Sequence, residues 1–290
     1  MIPIEFIVFS KKIHDLVPAQ SIVETIASGF QKTEGPVWET SSQSLLFTDF
    51  PSFKIYRWHR ETGLHTFREQ SNRAVGLALD SEERLIACES ITRSITRTEK
   101  DQTITPIAIH YEGKKLNSPN DVVVKSDGTI YFTDPRSTFL TDTQELDFNG
   151  VYKIHPQTGI VDLLTREFHW PNGLCFSPDE TRLYINDSRR QHIKVFDVQK
   201  NGTLTNGRIF AQLDAAFGKG APDGMKTDTQ GHLYVTGPGG IWLFSPEGDR
   251  IGIIKMPEGV LNLAFGGPAG KTLFLTAQSK LCQIECSIAG

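Results

Sequence analysis

The chain has 290 residues and a formal net charge of −4, with 30 basic and 34 acidic side chains dispersed along it. That balance argues against nucleic acid or an anionic membrane surface as a partner. Length alone suggests about two domains, but β architectures often run this long as one, and no Ser/Gly/Pro linker or charge block interrupts the chain, so a single domain over 1–290 is expected.

Residues 1–20 read as an N-terminal extension. Its apolar run, 2–9, is too short to span a bilayer and contains Glu5. It also lacks a basic start and a small-residue cleavage site, so neither a membrane anchor nor secretion is indicated. Residues 21–28 look like a strand without an obvious neighbour.

From Glu34 onward a six-fold repeat sets in. Each unit opens on a short motif: Glu34-Gly35-Pro36-Val37-Trp38, Val75-Gly76-Leu77, Asn120-Asp121-Val122, Asn172-Gly173-Leu174, Asp223-Gly224-Met225 and Leu261-Asn262-Leu263. The first residues of these motifs lie 41, 45, 52, 51 and 38 positions apart. A second apolar run follows in each unit, as in Leu45-Leu46-Phe47, Ile130-Tyr131-Phe132 and Leu233-Tyr234-Val235. Third strands read at 54–60, 94–98, 150–155, 192–198, 239–244 and 280–286, and outer strands at 64–68, 103–110, 160–168, 204–213 and 250–256. Repeats of roughly 40–50 residues built from short strands signal a β-propeller. The sixth unit lacks an outer strand, and 21–28 can supply it, which would leave no raw sheet edge. The expected fold is therefore all-β: a six-bladed β-propeller of four-stranded antiparallel blades, closed by an N-terminal strand.

Four cysteines are few. Cys282 and Cys286 on one strand would stand roughly 13 Å apart at about 3.3 Å per residue, too far for a disulfide. Cys88 and Cys175 fall in core strands, where a thiol acts as a small apolar group. A reduced, cytoplasmic protein is the expectation.

Turn chemistry orients the ring. Links between first and second strands, such as Lys125-Ser126-Asp127-Gly128, and between third and fourth, such as Glu61-Thr62-Gly63, are tight and polar. In an antiparallel blade both sets share one face. The long links, 111–119, 135–149 and 214–222, share the other, where binding is to be sought. The register residues start the innermost strands and so open on that loop-rich face.

Glu34, Asn120, Asn172 and Asp223 thus bring two carboxylates and two amide oxygens towards one centre, with no His or Cys in the register. An all-oxygen set selects a hard cation, and its loose charge of −2 suits Ca²⁺, with Zn²⁺, Mg²⁺ or Mn²⁺ as alternatives. Pro119-Asn120-Asp121, Pro171-Asn172-Gly173 and Pro222-Asp223-Gly224 are also good turn signals, the structural reading of the same residues. Two uncompensated carboxylates in an axial channel would repel without a cation.

These motifs resemble a known family. Glu34-Gly35-Pro36-Val37-Trp38, Ser118-Pro119-Asn120-Asp121-Val122, Pro171-Asn172-Gly173-Leu174 and Pro222-Asp223-Gly224-Met225, with Ile130-Tyr131-Phe132-Thr133-Asp134-Pro135, look like the signatures of the gluconolactonase, senescence-marker-protein and luciferin-regenerating-enzyme family across residues 30–285. The resemblance implies a propeller that holds one divalent metal, usually Ca²⁺, and hydrolyses sugar lactones. It implies Glu34, Asn172 and Asp223 as metal ligands, Asn120 as a metal or substrate contact, and Asp223 as the catalytic carboxylate. The family also includes organophosphate hydrolases, so phosphotriester hydrolysis on the same site is a second reading. A non-catalytic ligand-binding propeller with a structural metal is the third.

Further candidates surround this set. Asp49, Glu89, Asp134 and Asp187 end second strands, as turn caps or substrate contacts. Asp121 is expected to face outward by strand alternation and to support the site from behind. His169 is read first as structural and second as an acid or base. Arg136, Phe139 and Phe148 sit in the longest open-face loop, where Arg136 could contact a sugar substrate. No Gly-x-Ser-x-Gly elbow or phosphate-cradling loop is present.

Overall fold

The computed structural model describes residues 2–137, 143–256 and 258–290, and these form six antiparallel sheets arranged as the blades of a propeller. The inner strands are Thr33–Glu39, Ala74–Leu79, Val122–Val124, Pro171–Phe176, Met225–Thr227 and Asn262–Gly266. Each contacts the inner strand of the next blade, and the sixth contacts the first, so the ring is closed around an axis.

Second strands are sandwiched between neighbouring blades and are buried throughout, as in Ser44–Asp49 and Ile130–Asp134. Burial on both faces explains why they read as continuous apolar runs rather than alternating ones. Aromatic rings fill the seams. Trp38 of the first blade stacks on Phe274 of the sixth with centroids 5.2 Å apart, and Tyr131 meets Phe176 edge-on at 5.1 Å. Tyr234 and Phe265 repeat that edge-on contact at 5.2 Å.

The N-terminal strand closes the ring as expected. Ile22–Ser28 pairs antiparallel with Lys280–Glu285, with Lys280 opposite Ser28 and Gln283 opposite Glu24. Residues upstream do more than extend the chain. Ile2–Pro3 adds a fifth strand to the sixth blade, and Glu5–Val8 adds one to the fifth by pairing with Arg250–Lys255. Two blades are therefore five-stranded, a correction to the uniform four, and both added strands cover sheet edges. After both strands a single helical turn, Ile13–Leu16, and the Val17 that follows it place Ile13, Leu16 and Val17 in the buried cluster that holds Ile251 and Ile254. Gly252 makes room there, because a Cβ on it would strike Ile13 Cδ1. Ile13→Ala is accordingly expected to cost roughly 2–5 kcal/mol, read as a lowered urea midpoint with an unchanged slope.

All four cysteines are free and buried. Among the described residues no helix is long and apolar enough to cross a membrane.

Candidate functional site

Three of the four register residues, Glu34, Asn120 and Asn172, are held in place by a device that repeats from blade to blade. The carboxylate ending the second strand accepts the backbone N–H groups two and three residues before the register position. Asp49 takes those of Gln31 and Lys32 at 3.1 and 2.8 Å, ahead of Glu34. Asp134 takes Asn117 and Ser118 at 2.8 and 2.7 Å, ahead of Asn120. Asp187 takes His169 and Trp170 at 2.7 and 3.2 Å, ahead of Asn172. In the second blade Glu89 uses a side chain instead, accepting from Asn72 Nδ2 at 2.8 Å while paired to Arg68. These acids are turn caps, and their bonds set the angle at which each inner strand enters the axis. Burial still pushes the Asp134 carboxyl up to about 7, against the two amides that lower it.

A second set of bonds fixes the register backbone from the side. Second-strand side chains donate to the register carbonyl of the following blade: Thr48 Oγ1 to Val75 at 3.0 Å, Thr133 Oγ1 to Asn172 at 2.8 Å, Asn186 Nδ2 to Asp223, and Thr236 Oγ1 to Leu261 at 3.1 Å. The position after each register residue is glycine in four blades. A Cβ on Gly173 would strike the Asp223 carbonyl, and one on Gly224 would strike the Asn262 side chain.

The cluster is assembled as the repeat predicts. Asn120 Nδ2 donates to Asn172 Oδ1, Asn172 Nδ2 donates to Ser188 Oγ at 3.0 Å, and Asn172 also bonds the Asp223 carboxylate. Glu34 is 5% exposed, and its Oε2 accepts from the Gly35 N–H at 2.7 Å and from Asn262 Nδ2 at 2.9 Å. Loss of solvent, opposed by those two bonds, pushes the Glu34 carboxyl up to about 7. Burial first and the Glu34 charge second raise Asp223 well above the usual carboxylate range.

Two residues near the axis escape the sequence reading. Asp121 does not face outward: it is 4% exposed, and its charge reaches both Glu34 and Asp223 and raises them. Simple alternation does not reach it, because the paired inner strand of its blade begins only at Val122. Asn262 is the counterpart of Asp121 in the sixth blade. Each accepts the next residue's N–H on Oδ1, at 3.0 Å for Asp121 and 2.8 Å for Asn262. Each also donates its own N–H to a second-strand threonine. The second side-chain atom of Asn262 goes to Glu34, whereas Asp121 Oδ2 is buried without a hydrogen-bond partner. The missed signal was that only these two blades lack glycine after the register residue.

Among the described residues, no group of three His, Cys, Asp or Glu side chains has the geometry of a metal site. A cation here would take two carboxylates and complete its shell with amide oxygen and water. The donor set fits such an ion. Glu34 is buried and Asp223 half-buried, the two repel one another, and Lys32 is the basic side chain whose charge reaches both. Asn120 spends its amide N–H on Asn172, which leaves its oxygen for the mouth.

Asn120 also lines a cavity of about 250 Å³ on the loop-rich face, together with Lys32, Arg73, Arg136, Phe50 and Trp170. Arg136 is therefore where the sequence places it. Phe148 does not line this cavity; it packs on the core beside Arg166. Phe139 lies outside the described residues. His169 is exposed and acts through its backbone, donating to Asp187 and accepting from Asn149, in keeping with its structural reading. A larger cavity of about 530 Å³ opens at the tight-turn end, walled by Trp38, Leu79, Val124 and Phe265. It touches none of the four register oxygens, so the smaller one is the better candidate.

The family profile described as SMP-30/Gluconolactonase/LRE-like region matches residues 32–279. A gluconolactonase of Zymomonas mobilis is 31% identical over 308 residues, covering 97% of this chain and 86% of its own. A regucalcin of Danio rerio is 28% identical over 263 residues, covering 84% of this chain and 82% of its own. Among solved structures, a gluconolactonase of Xanthomonas campestris superposes with a TM-score of 0.89 at 28% identity, covering 98% of this chain and 96% of that one.

Proposed function

The chain belongs to the SMP-30/gluconolactonase/LRE-like family, and from that membership we propose that it hydrolyses a sugar lactone at the axial cluster, with Glu34, Asn172 and Asp223 holding a divalent cation. The observation that carries the reading is the pair of axial carboxylates, buried Glu34 and half-buried Asp223, beside Asn120, whose oriented amide lines an open cavity. Ca²⁺ is the ion of choice, since it accepts irregular oxygen shells with water in the remaining positions. When bound, such an ion polarises the lactone carbonyl as a Lewis acid.

The protein's own groups do the rest. Asp223 takes the proton from the attacking water, as a general base oriented by Asn172. Glu34 is tethered at Oε2 by Gly35 and Asn262, which leaves Oε1 for the axis. Asn120 bridges cluster and cavity, so it is placed to touch both Asn172 and the sugar. Blade-to-blade bonds hold all four without rearrangement, and this preorganisation is what such a site needs.

The test is a lactone screen with and without chelator, repeated with Ca²⁺, Mg²⁺, Mn²⁺ and Zn²⁺. Hydrolysis that needs a metal supports the proposal, and full activity after exhaustive metal removal overturns it. Glu34→Gln is expected to weaken Ca²⁺ binding by about tenfold or more, measured by calorimetry. The same measurement carries a pH signature. Burial, helped by the Asp121 charge, holds Glu34 at about 7, and burial with the Glu34 charge holds Asp223 well above the usual carboxylate range without the cation, so uptake must displace protons. Affinity should rise with pH through about 7, with proton release that Glu34→Gln diminishes.

A further inference from the structure

We propose that the lactone taken by this site carries a second, ionised group, a carboxylate or a phosphate, held at the mouth by Lys32 and Arg136 with Arg73 beside them. The inference rests on the lactonase reading and names its substrate class.

The chain as a whole is acidic, with a net charge of −4. The mouth is the reverse. Among the described residues its cavity is lined by Lys32, Arg73 and Arg136 and by no acidic side chain. The three cations arrive from three different blades: Lys32 precedes the first inner strand, Arg73 the second, and Arg136 follows the second strand of the third blade. Lys32 Nζ and the Arg73 guanidinium both lie 5.4 Å from the centre of the Phe50 ring. One ring thus joins two cationic side chains of the same cavity wall, beside which an anionic group gains favourable Coulomb energy.

Lys32 sends its charge to Glu34 and Asp223, the carboxylates that a bound cation would neutralise. Asp49 and Asp134 turn inward to cap backbone amides, and Glu89 is paired to Arg68. A neutral sugar needs hydroxyl acceptors, whereas this wall supplies fixed positive charge suited to carboxylate or phosphate oxygens. Asn120 on the cavity floor joins the wall to the axial cluster, so one molecule can place its carbonyl at the cluster and its anionic group at the rim.

The experiment compares kcat/KM for three lactones on the Ca²⁺-loaded protein: neutral glucono-δ-lactone, glucaro-γ-lactone with a free carboxylate, and phosphorylated glucono-δ-lactone. At least one acidic lactone should be preferred by about tenfold or more. That preference should shrink as salt rises towards about 0.3 M. Lys32→Gln and Arg136→Gln should each lower the acidic-to-neutral ratio by about tenfold, a readout that general misfolding leaves unchanged. The carboxylate and phosphate arms show which anion is meant. A neutral lactone used equally well, with a ratio indifferent to both variants, overturns the inference and leaves lactone hydrolysis standing. If no lactone is hydrolysed, the lactonase reading fails. Calorimetry with glucarate, phosphogluconate and neutral glucitol then decides the anion site by itself. Anion binding weakened by Lys32→Gln upholds it, and equal or absent binding refutes it.

Discussion

Asp223→Asn is expected to lower kcat for lactone hydrolysis by about 10²–10⁴-fold, the usual range for a positioned acid or base. The substitution preserves shape, and an amide can still bond Asn172. It removes two things at once: the acceptor for the water's proton and one negative charge from the cation's shell. Saturating Ca²⁺ separates them. If charge alone matters, activity returns as the ion is restored, with little change in kcat at saturation. If proton transfer matters, kcat stays low on the fully loaded protein. The second outcome is expected, because the Asp223 carboxyl rises well above the usual range through burial and the Glu34 charge. A bound cation lowers it again, so it is ionised in the loaded site but only weakly basic. An Asp223→Asn protein that turns over at the original rate removes this residue from the chemistry.

Gly173→Ala is expected to destabilise the fold by roughly 2–4 kcal/mol, from overpacking between rigid backbones plus a lost hydrogen bond. The added methyl would strike the Asp223 carbonyl oxygen, with its carbon at 2.9 Å and Asn186 Nδ2 at 3.0 Å. That carbonyl already accepts from Asn186, so the blades must separate or the bond must break. Backbone strain plays no part, since Gly173 does not adopt a positive φ. The shift carries Asp223 with it, so Ca²⁺ affinity should fall together with the urea midpoint. A Gly173→Ala protein of unchanged stability would show that the seam between the fourth and fifth blades yields more easily than its contacts imply.

Much of this was legible because the propeller repeats itself. Glu34, Asn120, Asn172 and Asp223 share one register, and equal register in a closed ring means equal distance from the axis. The cap role of Asp49, Asp134 and Asp187 was legible as one of two readings, and backbone geometry selected it. Asp121 was misread because alternation assumes a paired strand, whereas the inner strand of its blade begins only at Val122. Residues 1–20 were left without partners because strands of two and four residues carry too little periodicity to be seen.

By itself the sequence determined the blade count, the closing strand, the face that carries the long loops and the four oxygens at its centre. All follow from local patterns: short apolar strand runs, tight turns and a repeat whose spacing limits the ring. Tertiary structure alone decided which of those oxygens are tethered, that Asn262 holds Glu34, that Asp121 adds its charge to the axis, and that three cations from separate blades meet at the mouth. These are contacts between residues tens to hundreds of positions apart, and no local pattern records them. They arise only when the ring closes and brings every inner strand to the same axis.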